Sequence, residues 1–263
     1  VLPSSIKPAA AKILRLKSNA LFAACMGFNI TAAVATTTEQ TTLGETSTIE
    51  TTTQITSTLT TEEFVSQILG SMSLQEKAAQ MVQAERGSIS PEQVEYYGIG
   101  SILSGGGSHP IAYDDSIQVW YQMYANYQYS ALASSSGIPL IYGIDAVHGN
   151  NNLYGATIFP HNIGLGMAND LNLVYQVSKA TAEEMLVTGI NWTFAPALSV
   201  VQNIRWGRTY EGYSENPEVH LNLTKNAILG FEENGVSATA KHFFGEMKEK
   251  EVDREILFLM KSL

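Results

Sequence analysis

A chain of 263 residues can hold one large domain or two small ones, and its 44% hydrophobic and 15% charged residues are typical of a soluble globular protein with a buried core. The net charge is −10 and the sequence shows no basic face, which argues against a protein that binds nucleic acid. Cys25 is the only cysteine, so a disulfide framework and a cysteine-based zinc site are both excluded.

Residues 1–35 are predicted to be a signal peptide. Four basic side chains come before a largely apolar stretch from Ala20 to Ile30, and the small residues Ala33-Val34-Ala35 then fit a cleavage site. A lipoprotein signal ending at Cys25 is a weaker alternative because Phe22 starts its motif poorly, and a frayed helical tail is another. The pattern predicts an exported protein, periplasmic or extracellular.

Residues 36–61 form a tract dominated by threonine. Such a tract buries too little apolar surface to offset the entropy lost on ordering, so we predict a disordered linker. The main folded domain is predicted over residues 62–245. Residues 246–263 are rich in Lys and Glu and are predicted to form a charged helical tail.

The first part of the folded domain shows helical and strand patterns in turn. From Glu63 to Glu85 apolar residues repeat with a helical period in two pieces. Ser73 begins the second piece, and Glu76 stands three residues later as in a capping box. A short strand is predicted from Ile99 to Leu103, and a helix from Ser116 to Ala133.

The apolar run from Ile138 to Ile144 has no polar face, which is typical of a strand covered on both sides by helices in a parallel α/β sheet. Asp145 and His148 follow at its carboxyl end. Parallel α/β folds assemble their sites at the carboxyl ends of strands, so we expect this region to face a ligand.

The next part of the chain repeats the alternation. Asp170 begins a helix that Gly189 ends. A strand is predicted from Asn191 to Ala195, and a long polar loop covers residues 202–216. This loop, like Asp145, comes after a strand.

A fourth predicted strand, Val236 to Ala240, comes after a helix that begins at Pro217. Lys241 and His242 follow directly at its carboxyl end. Strand and helix therefore alternate four times, which is typical of the repeated βα units of a barrel or of a doubly wound sheet.

The polar clusters that follow these strands are Ser104 to Ser108, Asp145 with His148, Arg205 to Glu215, and Lys241 with His242. Arginine offers a planar fork of donors, carboxylates accept pairs of hydrogen bonds, and aromatic rings supply an apolar platform. Sugars present hydroxyl groups around an apolar ring face. The combination therefore predicts a site that binds hydroxyl groups.

Structural roles compete with this interpretation. Either arginine of the 202–216 loop could pair with Glu211 or Glu215 to stiffen the loop. His148 is predicted to orient its own loop through a hydrogen bond, and Asp145 could cap the following turn. Three further histidines are predicted to be surface or satisfied residues, and no pair of them has the spacing of metal ligands: His109, His161 and His220.

Six segments stand in the chain in this order: 103–107 (Leu-Ser-Gly-Gly-Gly), 142–149 (Tyr-Gly-Ile-Asp-Ala-Val-His-Gly), 155–162 (Gly-Ala-Thr-Ile-Phe-Pro-His-Asn), 194–196 (Phe-Ala-Pro), 205–211 (Arg-Trp-Gly-Arg-Thr-Tyr-Glu) and 240–243 (Ala-Lys-His-Phe). They resemble the amino-terminal barrel domain of glycoside hydrolase family 3, the β-glucosidase and exo-β-glucanase group. The resemblance implies a (β/α) TIM-barrel-type domain and a retaining hydrolase that removes terminal β-linked glucose. It assigns Asp145, Arg208, Lys241 and His242 to binding of that sugar, and it implies no metal or organic cofactor.

The same resemblance implies that catalytic groups are missing. A retaining mechanism needs two carboxyl groups, a nucleophile and an acid/base. The family segments that carry them are not matched in these 263 residues, so we expect a truncated hydrolase that is inactive alone. About half of an eight-stranded barrel would be present. Its open sheet edge could promote self-association.

Two other functions remain open. A sugar-binding or partner-binding protein without turnover would use the same side chains. A β-N-acetylhexosaminidase of the same family is less favoured, because Phe244 stands where that branch has Pro in Lys-His-Phe-Pro-Gly. The expected partner is a β-glucoside or a gluco-oligosaccharide, with no nucleic acid and no membrane span once the signal peptide is removed.

Overall fold

A computed structural model of the protein describes residues 59–110 and 114–242. The predicted signal peptide (1–35), nearly all of the predicted linker and the predicted charged tail (246–263) lie outside the described residues. Backbone contacts divide the chain into two units, of which the first ends at Lys77 and the second begins at Ala78.

The first unit contains helix α1, Thr61–Ser71, and the start of helix α2, Leu74–Gln80. Both helices begin with a reciprocal cap. The Thr60 hydroxyl accepts a hydrogen bond from the Glu63 backbone N–H at 3.3 Å, and the Glu63 carboxylate accepts one from the Thr60 backbone N–H at 2.8 Å. Ser73 and Glu76 make the same pair of bonds, which confirms the predicted capping box.

The prediction that the second helix continues to Glu85 is wrong. Helix α2 ends at Gln80, and Gln83–Glu85 forms strand β1. Gly100 explains the difference, because its N–H donates to the Ala79 carbonyl at 3.1 Å and a Cβ atom there would overlap the Gln80 carbonyl. The next strand therefore lies against the end of α2, and pairing with that strand overrides the local helical period.

The sheet contains β1 and three further strands: β2 Ser101–Ser104, β3 Ile141–Ile144 and β4 Trp192–Thr193. All neighbouring pairs are parallel, and the strand order is β1-β2-β3-β4. The predicted α/β class with a parallel sheet is therefore confirmed. The order follows the chain without a reversal among the described strands.

The predicted strand Val236–Ala240 is less regular than expected. Ser237 within it and Lys241 directly after it form two isolated parallel bridges, with Trp192 and Ala197 respectively. Thr193 N–H donates to the Ser237 carbonyl at 2.9 Å, and Thr239 N–H donates to the Ala195 carbonyl at 2.8 Å. The segment consequently lies beside β4 and brings Lys241 to the same end of the sheet as Asp145.

Among its described residues, the second unit contains five further α-helices and two 3₁₀ turns: the turn Arg86–Ser88, α3 Pro91–Tyr97, α4 Ile117–Ala133, α5 Asn162–Ala168, α6 Leu171–Leu186, the turn Thr209–Glu211 and α7 Pro217–Glu232. The predicted starts of α4, α6 and α7 are confirmed. Asp170, for example, accepts a hydrogen bond from Leu173 N–H at 3.0 Å. The seven-residue helices α3 and α5 are absent from the prediction because they are too short to establish a period.

Strand β3 is covered differently on its two sides. Tyr142 packs under α4, with its ring centroid 6.0 Å from Tyr124 and 6.5 Å from Tyr127. On the other side, a Cβ atom at Gly143 would overlap the ring of Phe194, and Ile141 is 47% exposed. The cover by α4 on the first side agrees with the prediction, whereas on the second side an aromatic ring lies against Gly143 and the predicted second helix stays a prediction.

His220, predicted to be a surface or satisfied histidine, is a buried residue of α7 with 1% exposure. The turn that carries Ser214 folds back over the start of α7, and His220 Nε2 lies 2.9 Å from the Ser214 carbonyl oxygen. Its Nδ1 atom has no hydrogen-bond partner among the described residues. Burial lowers the pKa of His220, and the hydrogen bond to Ser214 offsets this only in part.

This lowered pKa predicts a loss of stability on acidification. Above pH ~6.5 the imidazole is neutral in both folded and unfolded chains. Below it, the unfolded chain binds a proton that the folded chain does not, so the free energy of unfolding falls by up to ~1.4 kcal/mol per pH unit. In urea unfolding at pH 7.5 and pH 5.5, wild type should lose more stability than His220→Gln. Equal losses would contradict the assignment.

Candidate functional site

The side chains of Asp145 and Lys241 meet at the carboxyl end of the sheet. Asp145 directly follows β3, and Lys241 ends the segment beside β4. Lys241 Nζ donates a hydrogen bond to Asp145 Oδ1 at 3.1 Å, and the two side chains are 15% and 32% exposed. A carboxylate and an ammonium group, far apart in sequence, therefore share one partly open surface.

His242 lies next to this pair. Its Nδ1 atom is 3.4 Å from Ser199 Oγ, which is a long hydrogen bond. The backbone N–H of Lys241 donates to the Pro196 carbonyl at 3.1 Å, so the segment 195–199 supports both residues. The Ala195–Pro196 and Lys241–His242 peptide bonds are both cis.

Arg208 is held by Glu211 within the loop that follows β4. Arg208 Nε donates to Glu211 Oε1 and Arg208 Nη2 donates to Glu211 Oε2, each at 2.6 Å. The structural ion pair that we kept open for this loop is therefore present for Arg208. Arg205 is exposed.

The Glu211 carboxylate belongs to a residue that is only 9% exposed and lies in a positive environment. Burial, the largest single influence, raises its pKa. The hydrogen bonds and charge of Arg208, together with the charges of Lys241 and His242, outweigh burial, so that the pKa of Glu211 is lowered. These four groups are thus electrostatically connected. We refer to Asp145, Arg208, Glu211, Lys241 and His242 as the strand-end site.

Three aromatic rings lie beside the strand-end site: two stacked imidazoles and a phenol ring that meets one of them edge-on. The rings of His148 and His161 are stacked with centroids 4.0 Å apart, and Tyr210 meets His161 edge-on at 4.6 Å. His148 Nδ1 is 3.1 Å from the Phe159 carbonyl oxygen, so the predicted role of His148 in orienting its loop is confirmed. Burial and the charge of His148 lower the pKa of His161, and Glu211 opposes this shift.

The predicted polar cluster 104–108 divides in the structure. Ser104 is fully buried, and its hydroxyl lies 2.8 Å from the hydroxyl of Tyr142. Ser108 donates to Glu85 Oε1 at 3.1 Å and accepts from Arg86 Nη2 at 3.0 Å. Ser104 therefore belongs to the core, while Ser108 belongs to a separate polar group at the ends of β1 and β2.

Two of the neighbouring residues were not predicted to lie at the site, His161 and Asn162, whereas Glu211 belongs to the predicted cluster Arg205 to Glu215. Asn162 Nδ2 donates to the Glu211 carbonyl at 2.8 Å, and thereby ties α5 to the loop of Arg208. Both missed residues lie within the segment 155–162, one of those that carried the family resemblance. The resemblance of that segment to the family was the sequence signal that could have pointed to these residues.

The arrangement suits a ligand with several hydroxyl groups, because carboxylates, a guanidinium, an ammonium group and an imidazole lie together at a partly exposed surface. Over residues 59–110 and 114–242, no three His, Cys, Asp or Glu side chains are grouped so as to hold a metal ion. The described helices are all too short or too polar to span a bilayer.

Parallel βα units with a polar site at the carboxyl ends of the strands define an α/β domain of the class that binds small ligands at its strand ends. The sequence of residues 73–254 matches the Glycosyl hydrolase family 3 N terminal domain. The chain belongs to this family, and by family it is a glycoside hydrolase domain.

Known relatives support the same assignment. The Lysosomal beta glucosidase of Dictyostelium discoideum is 34% identical over 212 residues, which cover 70% of this chain and 26% of the relative. The crystal structure of exo-1,3/1,4-beta-glucanase from a Pseudoalteromonas species matches with a TM-score of 0.67 and 38% identity, over 73% of this chain and 25% of that chain. A family 3 beta-N-acetylglucosaminidase from a Paenibacillus species matches with a TM-score of 0.57 and 26% identity, over 66% of this chain and 33% of that chain. The chain thus spans about a quarter to a third of the length of these proteins.

Proposed function

We propose that this chain forms the sugar-binding part of a retaining β-glucosidase or exo-β-glucanase that acts on terminal β-linked glucose, with Asp145, Arg208, Lys241 and His242 as ligands of the sugar. The observation that carries the proposal is the contact of Lys241 Nζ with Asp145 Oδ1 at 3.1 Å. It joins two strand ends, so donors and an acceptor converge on one surface. The names of the glucosidase and glucanase relatives point to the same substrate class.

The chemistry of the strand-end site fits a pyranose. A hydroxyl group both donates and accepts, so a fixed carboxylate beside a fixed ammonium group can bind two adjacent hydroxyls of one ring. Charged groups strengthen such hydrogen bonds relative to neutral ones. Lys241 is only 15% exposed, which reduces competition from water.

Residues 1–263 are proposed to bind sugar without cleaving it. Retaining hydrolysis requires a nucleophilic carboxylate and a protonated acid about 5–5.5 Å apart. Glu211 is a poor general acid because its pKa is lowered, whereas such an acid needs a raised one. Family segments for the nucleophile and the acid/base are not matched here, so both groups are proposed to come from other parts of a longer enzyme.

The parallel sheet is proposed to be about half of a (β/α)₈ barrel. Strands in a barrel follow the chain in order, whereas a doubly wound sheet reverses its order at a switch point. The order β1-β2-β3-β4, with residues 237–241 beside β4, supports the barrel. Export by the segment 1–35 is proposed as well, in keeping with the word lysosomal in the name of the Dictyostelium discoideum relative.

Self-association through the edge of the sheet is a further part of the proposal. Strand β1 pairs with β2 on one side. The residues that lead into it, Met81 and Val82, are 88% and 46% exposed. An apolar segment beside a strand edge favours pairing with another chain.

Two measurements test the proposed function. The polypeptide of residues 1–263 should bind methyl β-D-glucopyranoside in ligand-observed NMR and should bind the galactose epimer more weakly, because a fixed hydrogen-bonding site rejects an inverted hydroxyl. It should release no nitrophenol from 4-nitrophenyl β-D-glucopyranoside. Equal signals for the two epimers, or turnover by this polypeptide, would contradict the proposal.

The alternative is a sugar-binding or partner-binding protein without any catalysis. The same site serves both functions, so binding alone does not separate them. Hydrolysis of the aryl glucoside by the product of the complete coding region distinguishes them. Turnover supports the hydrolase, and binding without turnover in that product supports the alternative.

A further inference from the structure

We propose that Glu211 is a positioning residue for sugar binding: its carboxylate holds the Arg208 guanidinium in the orientation that lets Arg208 reach the sugar. The inference rests on the proposed function. It assigns a role to a side chain that the family resemblance did not include among the sugar ligands. Glu211 acts through Arg208 and is not itself proposed to contact the sugar.

The geometry of the pair fixes the plane of the guanidinium. Two bonds of 2.6 Å from Nε and Nη2 bind both oxygens of one carboxylate. This is a bidentate arrangement, which determines direction as well as distance. The carboxylate occupies the edge of the guanidinium formed by Nε and Nη2, and Nη1 takes no part in these two bonds.

Glu211 is itself fixed, so it can act as an anchor. It ends the 3₁₀ turn Thr209–Glu211, and its carbonyl accepts a hydrogen bond from Asn162 Nδ2 at 2.8 Å. The preceding residue, Tyr210, rests edge-on against His161. Contacts with Asn162 of α5 and with His161, the residue before α5, therefore hold the backbone of Glu211 in place.

Arg208 needs an anchor because its side chain is 39% exposed. An arginine side chain in solvent samples many rotamers, and ordering it on binding costs free energy. The ion pair with Glu211 already orders the Arg208 side chain in the folded protein, so its rotamer entropy is not lost again when the sugar binds. A pre-ordered guanidinium should therefore bind the sugar more tightly than a mobile one.

The charges around the pair favour the same role. The positive charges of Arg208, Lys241 and His242 stabilise the ionised form of Glu211 against its burial. The anchor is therefore a carboxylate at neutral pH. An amide at the same position would keep the shape and lose the charge.

The test is a double-mutant cycle on the polypeptide of residues 1–263. Affinity for methyl β-D-glucopyranoside is measured for wild type, Glu211→Gln, Arg208→Ala and the double variant, with exposed Glu218→Gln as the matched control. Glu211→Gln should weaken binding about tenfold in wild type and leave it unchanged once Arg208 is absent. Glu218→Gln should bind as wild type does.

A tenfold loss from Glu211→Gln in both backgrounds would overturn the proposal, because Glu211 would then act without Arg208. So would an unchanged affinity of Glu211→Gln in the wild-type background. Circular dichroism of each variant separates loss of binding from loss of folding.

A second measurement does not need the sugar. Hydrogen exchange of the arginine Nε–H groups, followed by ¹⁵N NMR, should be at least about tenfold slower for Arg208 than for exposed Arg205. The difference should disappear in Glu211→Gln. Equal exchange rates in wild type would overturn the proposal even if that variant fails to fold. Absence of sugar binding in wild type, by contrast, would count against the proposed function while leaving this exchange test intact.

Discussion

Replacement of Lys241 by Met should weaken binding of methyl β-D-glucopyranoside by about 10- to 150-fold. This range corresponds to the loss of a hydrogen bond from a charged donor, about 1.5–3 kcal/mol. Methionine keeps the length and apolar stem of the side chain, so the change removes mainly the ammonium group. The substitution also leaves Asp145 without the donor that lies 3.1 Å from its Oδ1 atom.

The matched control is Lys225→Met, which removes an exposed ammonium group from α7. Titration calorimetry on both variants and on wild type supplies the affinities, and thermal unfolding verifies that each variant is folded. Lys225→Met should bind as wild type does. A loss of the same size in both variants, or full affinity in Lys241→Met, would remove the basis for the proposed sugar site.

Replacement of Gly166 by Ala should destabilise the domain by about 3 kcal/mol, the upper end of the usual cost of overpacking, and lower its melting temperature by roughly 6–12 °C. A Cβ atom at this position of α5 would overlap the backbone carbonyl of Tyr213. Backbone atoms cannot swing aside as a side chain can, so α5 and the loop must move apart. That loop also carries Arg208 and Glu211, so sugar affinity should fall along with stability.

Gly164→Ala is the control on the same helix. The Cβ atom there would meet only the Cβ atom of Pro160, at 3.3 Å, which a small shift relieves. Gly164→Ala should therefore lie within about 1 kcal/mol of wild type, since alanine also favours a helix. Thermal and urea unfolding of the pair compare the two positions directly. Similar melting temperatures for both variants would show that the close approach of α5 to Tyr213 does not limit packing.

Sequence patterns predicted those parts of the structure that rest on local chemistry. The caps at Ser73 and Asp170 and the proline at position 217 are local signals, and the helices begin where they indicate. Strand β3 and the residues after it followed from an apolar run that ends in polar residues. The meeting of Asp145 with Lys241 followed from one rule, that parallel strands present their carboxyl ends at one edge.

What could not be predicted depends on contacts between distant segments. Strand β1 has three residues and no periodic pattern, and its pairing with β2 determines its conformation. The stack of His148 on His161 requires the 150–160 loop to return to its start. His220 is buried because a turn folds over α7, which no spacing within the helix reveals.

The bond between Lys241 and Asp145 spans 96 positions of the chain. A contact so distant in sequence closes a long loop, which costs chain entropy, so it depends on the fold that brings the two strand ends together. A partly folded chain in which residues 237–241 do not lie beside β4 would lack this pair, and on the proposed function it would not bind the sugar. A sugar that binds only the completed fold would raise the melting temperature with its concentration, so it could serve as a pharmacological chaperone for destabilised variants.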